Sequence, residues 1–318
     1  MMPPTTGPLK VGTRASLLAR TQSTLVADRL AEVLGVEVEL VEVTTEGDVN
    51  GAPLASLGGA GVFVSALRDA LLDGKVDVAV HSLKDLPTGP AAGITLAAVP
   101  LREDPRDVLV ARDGLTLGEL PPGSVVGTGS PRRVAQLHAL GLGLEITGIR
   151  GNIDTRAGKV AAGELDGVIL ARAGLARIGR LDVVTEVIDP IQMLPAPGQG
   201  ALAVECRTED TGLVESLRSH LEDPFTRAAV DAERAVLATL EAGCSAPVGS
   251  LAEVAEGDDG HEVWVRAVAL APDGSVEIRR SASGPLADAA GVGRRLATGM
   301  LDEGAAGLID PPARRQQA

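Results

Sequence analysis

Short runs of β-branched and aliphatic residues alternate with segments of helical periodicity, and this alternation limits the fold more than any other feature of the chain. Apolar runs at residues 9–14, 36–44 and 76–82 predict strands, and amphipathic stretches at 16–34 and 62–72 predict helices between them. Strand, helix and strand in succession form βαβ units. The pattern therefore predicts an α/β fold with a mostly parallel sheet.

A second block repeats the pattern. Its predicted strands are 125–128, 144–149 and 167–170, and its predicted helices are 131–140 and 153–163. Two blocks of this kind predict two α/β lobes.

Two irregular stretches connect the blocks. VPLREDPRD at 99–107 is charged and carries two prolines, and LPAPGQGALAVEC at 194–206 ends in another strand. Two lobes joined by two crossings would open and close about a cleft. A third region follows, with a long helix at 224–240 for which Asp223 is the predicted N-cap. Two strands, 263–270 and 275–280, are predicted to pair antiparallel in that region.

The charge balance limits the partners. The chain has 43 acidic and 29 basic residues, a net charge of −14, which argues against a general nucleic-acid-binding surface. It has two Phe, one Trp and no Tyr, so aromatic stacking platforms for single strands are missing too.

The chain starts with no secretory signal pattern and has no apolar run near the ~20 residues of a membrane span, which predicts a cytoplasmic protein. Thiols stay reduced in that compartment, so no disulfide between Cys206 and Cys244 is expected. No CxxC motif is present and the four histidines are scattered, so no metal site is predicted.

The segment 128–180 is basic within an acidic chain, with eight Lys or Arg residues against four Asp or Glu residues. In GTGSPRR, Ser130 can cap a helix that Pro131 opens, and Arg132 and Arg133 follow at once. A helix start beside two guanidinium groups favours a carboxylate or phosphate ligand. Solvated surface arginines are the alternative.

IRGNIDTR repeats this design. A strand ends, Arg150 projects, Asn152 can cap the next helix, and Arg156 lies one turn in. Two such sites in one segment favour the anion-binding interpretation over the surface one.

HSLKDLP follows the apolar run VDVAV, and polar residues at a strand end lie where α/β folds place their sites. If the strand continues, Ser82 and Lys84 share a face and suggest a Ser–Lys nucleophile pair. If it stops before Pro87, Asp85 can turn into the cleft. Caps and turns are the structural alternative.

The two cysteines have different settings. Cys206, inside the strand ALAVEC, suits a small buried residue. Cys244 follows a helix on a Gly-flanked turn, where a thiol can be exposed. Chemistry alone leaves three interpretations of Cys244 open: an inert residue, a nucleophile, or a covalent attachment point.

Taken together, the motifs resemble the porphobilinogen deaminase (hydroxymethylbilane synthase) family over nearly the whole chain up to residue 249. They occur in this order: GTRASLLA, TTEGD, FVSALRDALLDGKVDVAVHSLKDLPT, EDPRDVLV, GTGSPRR, IRGNIDTR, LPAPGQGALAVECR and LEAGCSAPVG. The resemblance implies a transferase of tetrapyrrole biosynthesis. It would add four porphobilinogens head to tail, release ammonia, and yield hydroxymethylbilane. The primer would be a dipyrromethane cofactor joined to Cys244 by a thioether.

Residue by residue, the resemblance implies that Asp85 is catalytic, stabilising the cation left when ammonia departs. It implies cofactor contacts at Ser16, Ser82, Lys84, Ser130, Arg132, Arg133 and Arg156. It implies substrate contacts at Arg14, Gln22, Phe63, Arg150, Asn152, Arg177 and Gln199. The family's glycine-rich loop often carries lysines where this chain has Ser56 and Ala60, a departure from the pattern.

The family's architecture implies three domains: two lobes that resemble those of periplasmic binding proteins, and a C-terminal α+β domain that carries the cofactor cysteine. The expected boundaries are 1–102 with 200–218, then 103–199, then 219–318. A monomer is expected by resemblance. Two rival interpretations are a non-catalytic, two-lobed anion-binding protein and a Ser–Lys hydrolase, although no GxSxG or SxxK motif supports the latter.

Overall fold

The computed structural model describes residues 7–44, 61–243, 246–257 and 260–309. Its strands are β1 (Leu9–Thr13), β2 (Val38–Glu42), β3 (Val78–Ser82), β4 (Ile94–Ala98), β5 (Asp107–Ala111), β6 (Val125–Gly127), β7 (Glu145–Thr147), β8 (Gly167–Ala171), β9 (Glu186–Val187), β10 (Leu202–Arg207), β11 (Val248–Gly257), β12 (Gly260–Leu270) and β13 (Glu277–Pro285). Its α-helices are α1 (Leu17–Leu34), α2 (Gly61–Leu72), α3 (Pro131–Ala139), α4 (Ile153–Ala161), α5 (Arg172–Arg177), α6 (Thr211–Leu221), α7 (Pro224–Thr239), α8 (Ala289–Asp302) and α9 (Ala305–Ile309).

Two five-stranded sheets share one design. The first has the order β2-β1-β3-β10-β4, and the second has the order β7-β6-β8-β5-β9. In each sheet four strands point one way and one strand is reversed: β10 in the first and β5 in the second. The reversed strand is in both cases the first one after a chain crossing. The predicted α/β class with mostly parallel sheets is confirmed.

A third sheet, β11-β12-β13, is antiparallel throughout. Helices α7 and α8 cover it with small aliphatic side chains, mainly Ala and Val. A Cβ on Gly293 of α8 would clash with the Ala232 carbonyl oxygen of α7, so only glycine fits there. The region is therefore an α+β layer with an aliphatic core.

The chain divides into two compact units. One comprises Met1–Glu103 and Gly200–Arg227, and the other comprises Asp104–Gln199 and Ala228–Ala318. The first unit contains the sheet with β10, and the second contains the other two sheets. The three-domain division with its expected boundaries stays a prediction.

Most predicted elements occur within a few residues of their predicted ends. Both predicted helix caps outside the basic segment form: the Ser16 hydroxyl accepts the Ala19 N–H (3.3 Å), and the Asp223 carboxylate accepts the Thr226 N–H (2.7 Å). The stretch 99–107 was predicted as a connection, but its last residue, Asp107, begins strand β5.

Two further observations concern the described part of the chain. Cys206 is a free, buried thiol in β10, as predicted, and burial raises its pKa to about 11. None of the helices in the described ranges is long and apolar enough to cross a membrane.

A buried carboxylate ties the reversed strand of the first unit to its neighbours. Glu205 of β10 is 2% exposed and accepts two hydrogen bonds from Arg68 of α2, at 2.9 and 2.7 Å. His81 of β3 places Nε2 3.3 Å from the same carboxylate. Burial by itself raises the pKa of Glu205, but His81 and Arg68 outweigh burial and bring that pKa down to about 2.

The pairing of Glu205 should make the stability of the protein depend on pH. Because the folded-state pKa of Glu205 lies below its unfolded value, its stabilisation is complete above about pH 4.5 and is lost as the pH falls towards 2. Glu205→Gln should lower the free energy of unfolding by about 3 kcal/mol at pH 7. The difference between the two proteins should shrink between pH 4.5 and 2, measured by thermal unfolding. A difference that stays constant over that range would contradict the assignment.

Candidate active site

The carboxyl end of β3 carries three of the predicted site residues of the first unit, Ser82, Lys84 and Asp85. The strand stops at Ser82, and a 3-10 turn covers Leu83–Asp85. Leu83 is fully buried and donates its N–H to the Ala201 carbonyl (3.0 Å), which fixes the turn. Asp85 is half-buried, and no described residue forms a hydrogen bond or ion pair with its carboxylate. The strand therefore ends before Pro87, as one of the two alternatives predicted, and leaves Asp85 available to a ligand.

Ser82 is occupied by a side-chain partner. The Gln22 amide of α1 donates to the Ser82 hydroxyl at 3.0 Å, and the hydroxyl lies 3.2 Å from the Gln22 carbonyl oxygen. Lys84 belongs to the 3-10 turn and not to the strand, so it does not continue the β alternation with Ser82. The geometry that motivated a Ser–Lys pair is therefore not formed. The same unit also positions Arg14, half-buried at the end of β1.

Close packing forces the turn that opens α3. A Cβ on Gly127 would lie 2.8 Å from Leu165, and a Cβ on Gly129 would lie 2.8 Å from the Ile149 carbonyl oxygen. The helix begins at Pro131, as predicted. Ser130 occupies the N-cap position, but its side chain makes no capping hydrogen bond, which corrects the predicted cap.

Arg132 and Arg133 are buried rather than displayed. They are 3% and 6% exposed, and both face Asp107, which is 0% exposed. Arg133 donates to Asp107 from Nε (3.2 Å) and Nη2 (2.7 Å), and Arg132 Nη2 lies 2.8 Å from the other carboxylate oxygen. Burial by itself raises the pKa of Asp107, but the two arginines hold it well below its usual range.

The remaining donors of the two arginines are partly used. Arg133 Nη1 donates to the Ile169 carbonyl (2.9 Å), and Arg132 Nη1 donates to the Leu194 carbonyl (2.5 Å). Arg132 Nε is buried and has no hydrogen-bond partner among the described residues. Burial lowers the pKa of Arg132, and the adjacent Arg133 lowers it further.

Gln199 completes this cluster. Its amide nitrogen donates to the Asp107 carboxylate (2.8 Å) and to the Pro105 carbonyl (2.7 Å), and the residue is 1% exposed. That nitrogen is thus committed within the second unit. The substrate contact expected of Gln199 stays a prediction.

The second arginine motif forms as predicted. Asn152 caps α4 by accepting the Thr155 N–H (2.8 Å), and Arg156 Nε donates to the Gly151 carbonyl (2.8 Å). Burial lowers the pKa of Arg156, and repulsion from Arg133 lowers it further. Arg156 therefore adds to the positive potential felt at Arg133.

Two other cations of the basic segment lie nearby in sequence. Arg150 is exposed and Arg177 is half-buried at the end of α5. Lys159 and Arg180 instead form ion pairs with acids, Lys159 with Glu164 (2.6 Å) and Arg180 with Asp154 (3.5 Å). The basic segment is thus mixed, with both buried site cations and ordinary surface pairs.

Several predicted positions fall outside what the structure describes. Cys244, Ser56 and Ala60 lie outside the described residues. Phe63 lies in α2, and only its backbone is described.

Sequence reasoning missed Asp107. The residue was quoted only within EDPRDVLV, in a stretch interpreted as a connection. The available signal was an acidic residue directly before the apolar run VLVA, where an unpaired buried charge would be costly.

The chain is similar to proteins of one family over 95% of its length. Residues 9–215 match the family model described as porphobilinogen deaminase, dipyromethane cofactor binding domain, and residues 227–302 match the model of its C-terminal domain. Proteins named porphobilinogen deaminase are similar over 95% of this chain: 58% identical in Nocardia farcinica (88% of that protein), 57% in Streptomyces avermitilis (97%, porphobilinogen deaminase 1) and 58% in Mycobacterium tuberculosis (98%). A periplasmic substrate-binding protein of an ABC transporter from Coxiella burnetii matches with a TM-score of 0.44 and 15% identity, over 69% of this chain and 94% of that structure.

The tight turn before α3 yields a prediction. Gly129→Ala should lower the free energy of unfolding by about 1–3 kcal/mol, because its Cβ would meet a backbone oxygen that cannot rotate away. Gly148→Ala is the matched control, since a Cβ there meets nothing within 4 Å. Thermal unfolding of both variants is the measurement. Equal shifts would show that the turn tolerates a side chain.

Proposed function

The chain belongs to the porphobilinogen deaminase family, and from that premise we propose which of its residues carry the reaction. It is a transferase that joins four porphobilinogens head to tail on a dipyrromethane primer, releases ammonia and yields hydroxymethylbilane for tetrapyrrole biosynthesis. The roles of individual residues, the cytoplasmic location, the monomeric state and the absence of nucleic-acid or membrane partners are parts of the proposal.

The observation that carries the assignment of ligand-binding residues is the arginine cluster of the second unit. In addition to burial, Arg133 lowers the pKa of both Arg132 and Arg156, and the carboxylate that pairs with Arg132 and Arg133 among the described residues is the buried Asp107. A buried excess of positive charge needs an anionic partner. Each pyrrole unit of the primer and the product carries an acetate and a propionate, so the ligand is a polyanion.

The residues present fit the dipyrromethane. Arg132 offers a buried N–H without a described partner, and the amides at the start of α3 are not capped by Ser130. Arg132, Arg133, Arg156 and Ser130 would hold carboxylates of the cofactor. The resemblance to the family also supports cofactor contacts at Ser16, Ser82 and Lys84. When bound, the dipyrromethane supplies the pyrrole carbon to which the first porphobilinogen is added. Cys244 would hold it through the thioether sulfur.

Asp85 is proposed to act on the substrate directly. Loss of ammonia from porphobilinogen breaks a C–N bond and leaves a cationic methylene group. A carboxylate beside that group stabilises its charge. Asp85 suits this role because the strand end holds its backbone while no described residue pairs with its carboxylate.

The remaining positions would orient the growing chain. Arginines pair bidentately with carboxylates, so Arg14, Arg150 and Arg177 are proposed to bind acetate and propionate groups. The list of proposed substrate contacts is completed by Gln22, Asn152, Gln199 and Phe63. Gln22 is also hydrogen-bonded to Ser82, one of the proposed cofactor contacts.

Intact mass tests the covalent anchor. The purified chain should be heavier than its sequence mass by two linked pyrrole units, and Cys244→Ser should lack this addition, because serine offers no sulfur for a thioether. Cys206→Ser is the matched control and should keep the addition, since that thiol is buried in a strand. A parent protein that stays unmodified even after incubation with porphobilinogen would favour the rival anion-binding protein.

Turnover tests Asp85. Asp85→Asn should lower the rate of ammonia release by about 10²–10³, as expected when one preorganised electrostatic stabiliser is lost. Asp73→Asn is the matched control, because Asp73 is an exposed carboxylate paired with Lys75 (2.8 Å), and its turnover should stay at the parent level. Near-normal turnover of Asp85→Asn would refute the role.

A further inference from the structure

We propose that Asp107 is a resident counter-ion of the arginine cluster, which neutralises Arg132 and Arg133 in the cofactor-free chain and so lets the second unit fold before its polyanion is present. The proposal rests on the proposed function for the identity of that polyanion. It concerns a residue that neither acts on the substrate nor is expected to touch it.

Burial makes such a counter-ion necessary. Arg132 and Arg133 are adjacent on the first turn of α3, and almost no surface of either reaches solvent. Two guanidinium groups held together away from water repel each other and lose their hydration. Without an internal anion, the folded unit would carry this cost until a ligand bound.

Asp107 supplies a negative charge next to both arginines. Its carboxylate reaches both arginines, at 2.7 Å from Arg133 Nη2 and 2.8 Å from Arg132 Nη2. Gln199 donates a further hydrogen bond to the Asp107 carboxylate (2.8 Å), and the backbone of Asp107 is paired with β8 at the start of β5. The anion is therefore at the cluster whether or not a ligand is bound.

Asp107 neutralises only part of the positive charge of the arginine cluster. One carboxylate faces two arginines, and Arg156 adds a third cation within range of Arg133. Arg132 Nε still lacks a partner among the described residues. Positive charge and at least one donor thus remain for ligand carboxylates, so Asp107 and the ligand share the same arginines.

Sharing has a measurable consequence. If Asp107 and the cofactor carboxylates neutralise the same charges, each should matter more when the other is missing, and their effects on stability should not add. A carboxylate that only supports the fold would give additive effects. One that chiefly aims the arginines at the cofactor would matter more in the loaded protein.

The experiment is a cycle of four full-length proteins: the parent, Asp107→Asn, Cys244→Ser, and the two combined. Intact mass reports cofactor loading and thermal unfolding reports Tm. In the Cys244→Ser chain, Asp107→Asn should lower Tm by about 10 °C. In the loaded chain the loss should be about half of that or less, because cofactor carboxylates take over part of the neutralisation.

The outcomes separate clearly. Equal losses in both chains, or a larger loss in the loaded chain, would overturn the proposal. Asp107→Asn that fails to fold only in the Cys244→Ser chain is the expected result in its strongest form, whereas failure in both chains contradicts it. Glu205→Gln is the matched control, since it removes another buried, arginine-paired carboxylate, and it should lower Tm equally in both chains.

A second arm keeps the inference independent of the cofactor. Citrate is compared with chloride at equal ionic strength, and the increase in Tm is measured for the Cys244→Ser chain with and without Asp107→Asn. Citrate should raise Tm more when Asp107 is replaced, because an added carboxylate substitutes for the lost one. Equal increases would overturn the counter-ion role. An unmodified parent mass would instead count against the proposed function alone.

Discussion

Pairing between a buried carboxylate and arginine is the interaction on which both α/β sheets depend. In each sheet the strand that runs against the others carries such a carboxylate: Asp107 on β5 and Glu205 on β10. Each is almost inaccessible to solvent and reaches arginines on a helix of its own unit. A buried charge is tolerated only with a well-placed partner, so these pairs penalise any register in which the reversed strand slips.

The two carboxylates differ in how many arginines surround them. At Glu205, one guanidinium, that of Arg68, forms a bidentate pair with the carboxylate, and His81 Nε2 lies 3.3 Å away. At Asp107, one carboxylate faces two arginines, and Arg156, whose pKa burial lowers, is close enough to Arg133 for repulsion between them to lower that pKa further. The pair at Glu205 is suited to holding α2 on the sheet. At Asp107, positive charge that the carboxylate does not neutralise remains for a ligand. The same device thus serves structure in one unit and binding in the other.

The loop between Leu194 and Gln199 links the arginine cluster to the rest of the second unit. The Leu194 carbonyl accepts from Arg132, the Pro195 carbonyl accepts from Ser250 of β11, and the Gly198 N–H donates to the buried Glu233 of α7. Glu233 also accepts the Ala252 N–H of β11. The arginine cluster is therefore bonded, through one short loop, to α7 and β11, the elements that precede and follow Cys244 in the sequence.

The sequence by itself determined the local elements and the chemistry at their ends. Periodicity located β1, α1, β3, α3 and α4, short polar side chains marked the caps at Ser16, Asn152 and Asp223, and the ordered motifs identified the family. These features depend on residues a few positions apart, which a linear pattern contains. Only the tertiary structure decided that β5 and β10 run antiparallel to their neighbours and that Arg132 and Arg133 are buried. It also decided the ion pairs, Asp107 with Arg132 and Arg133, and Glu205 with Arg68. Asp107 lies 26 residues from Arg133 and Glu205 lies 137 from Arg68, and such distant pairs are selected by the desolvation of charge when strands from separate parts of the chain come together.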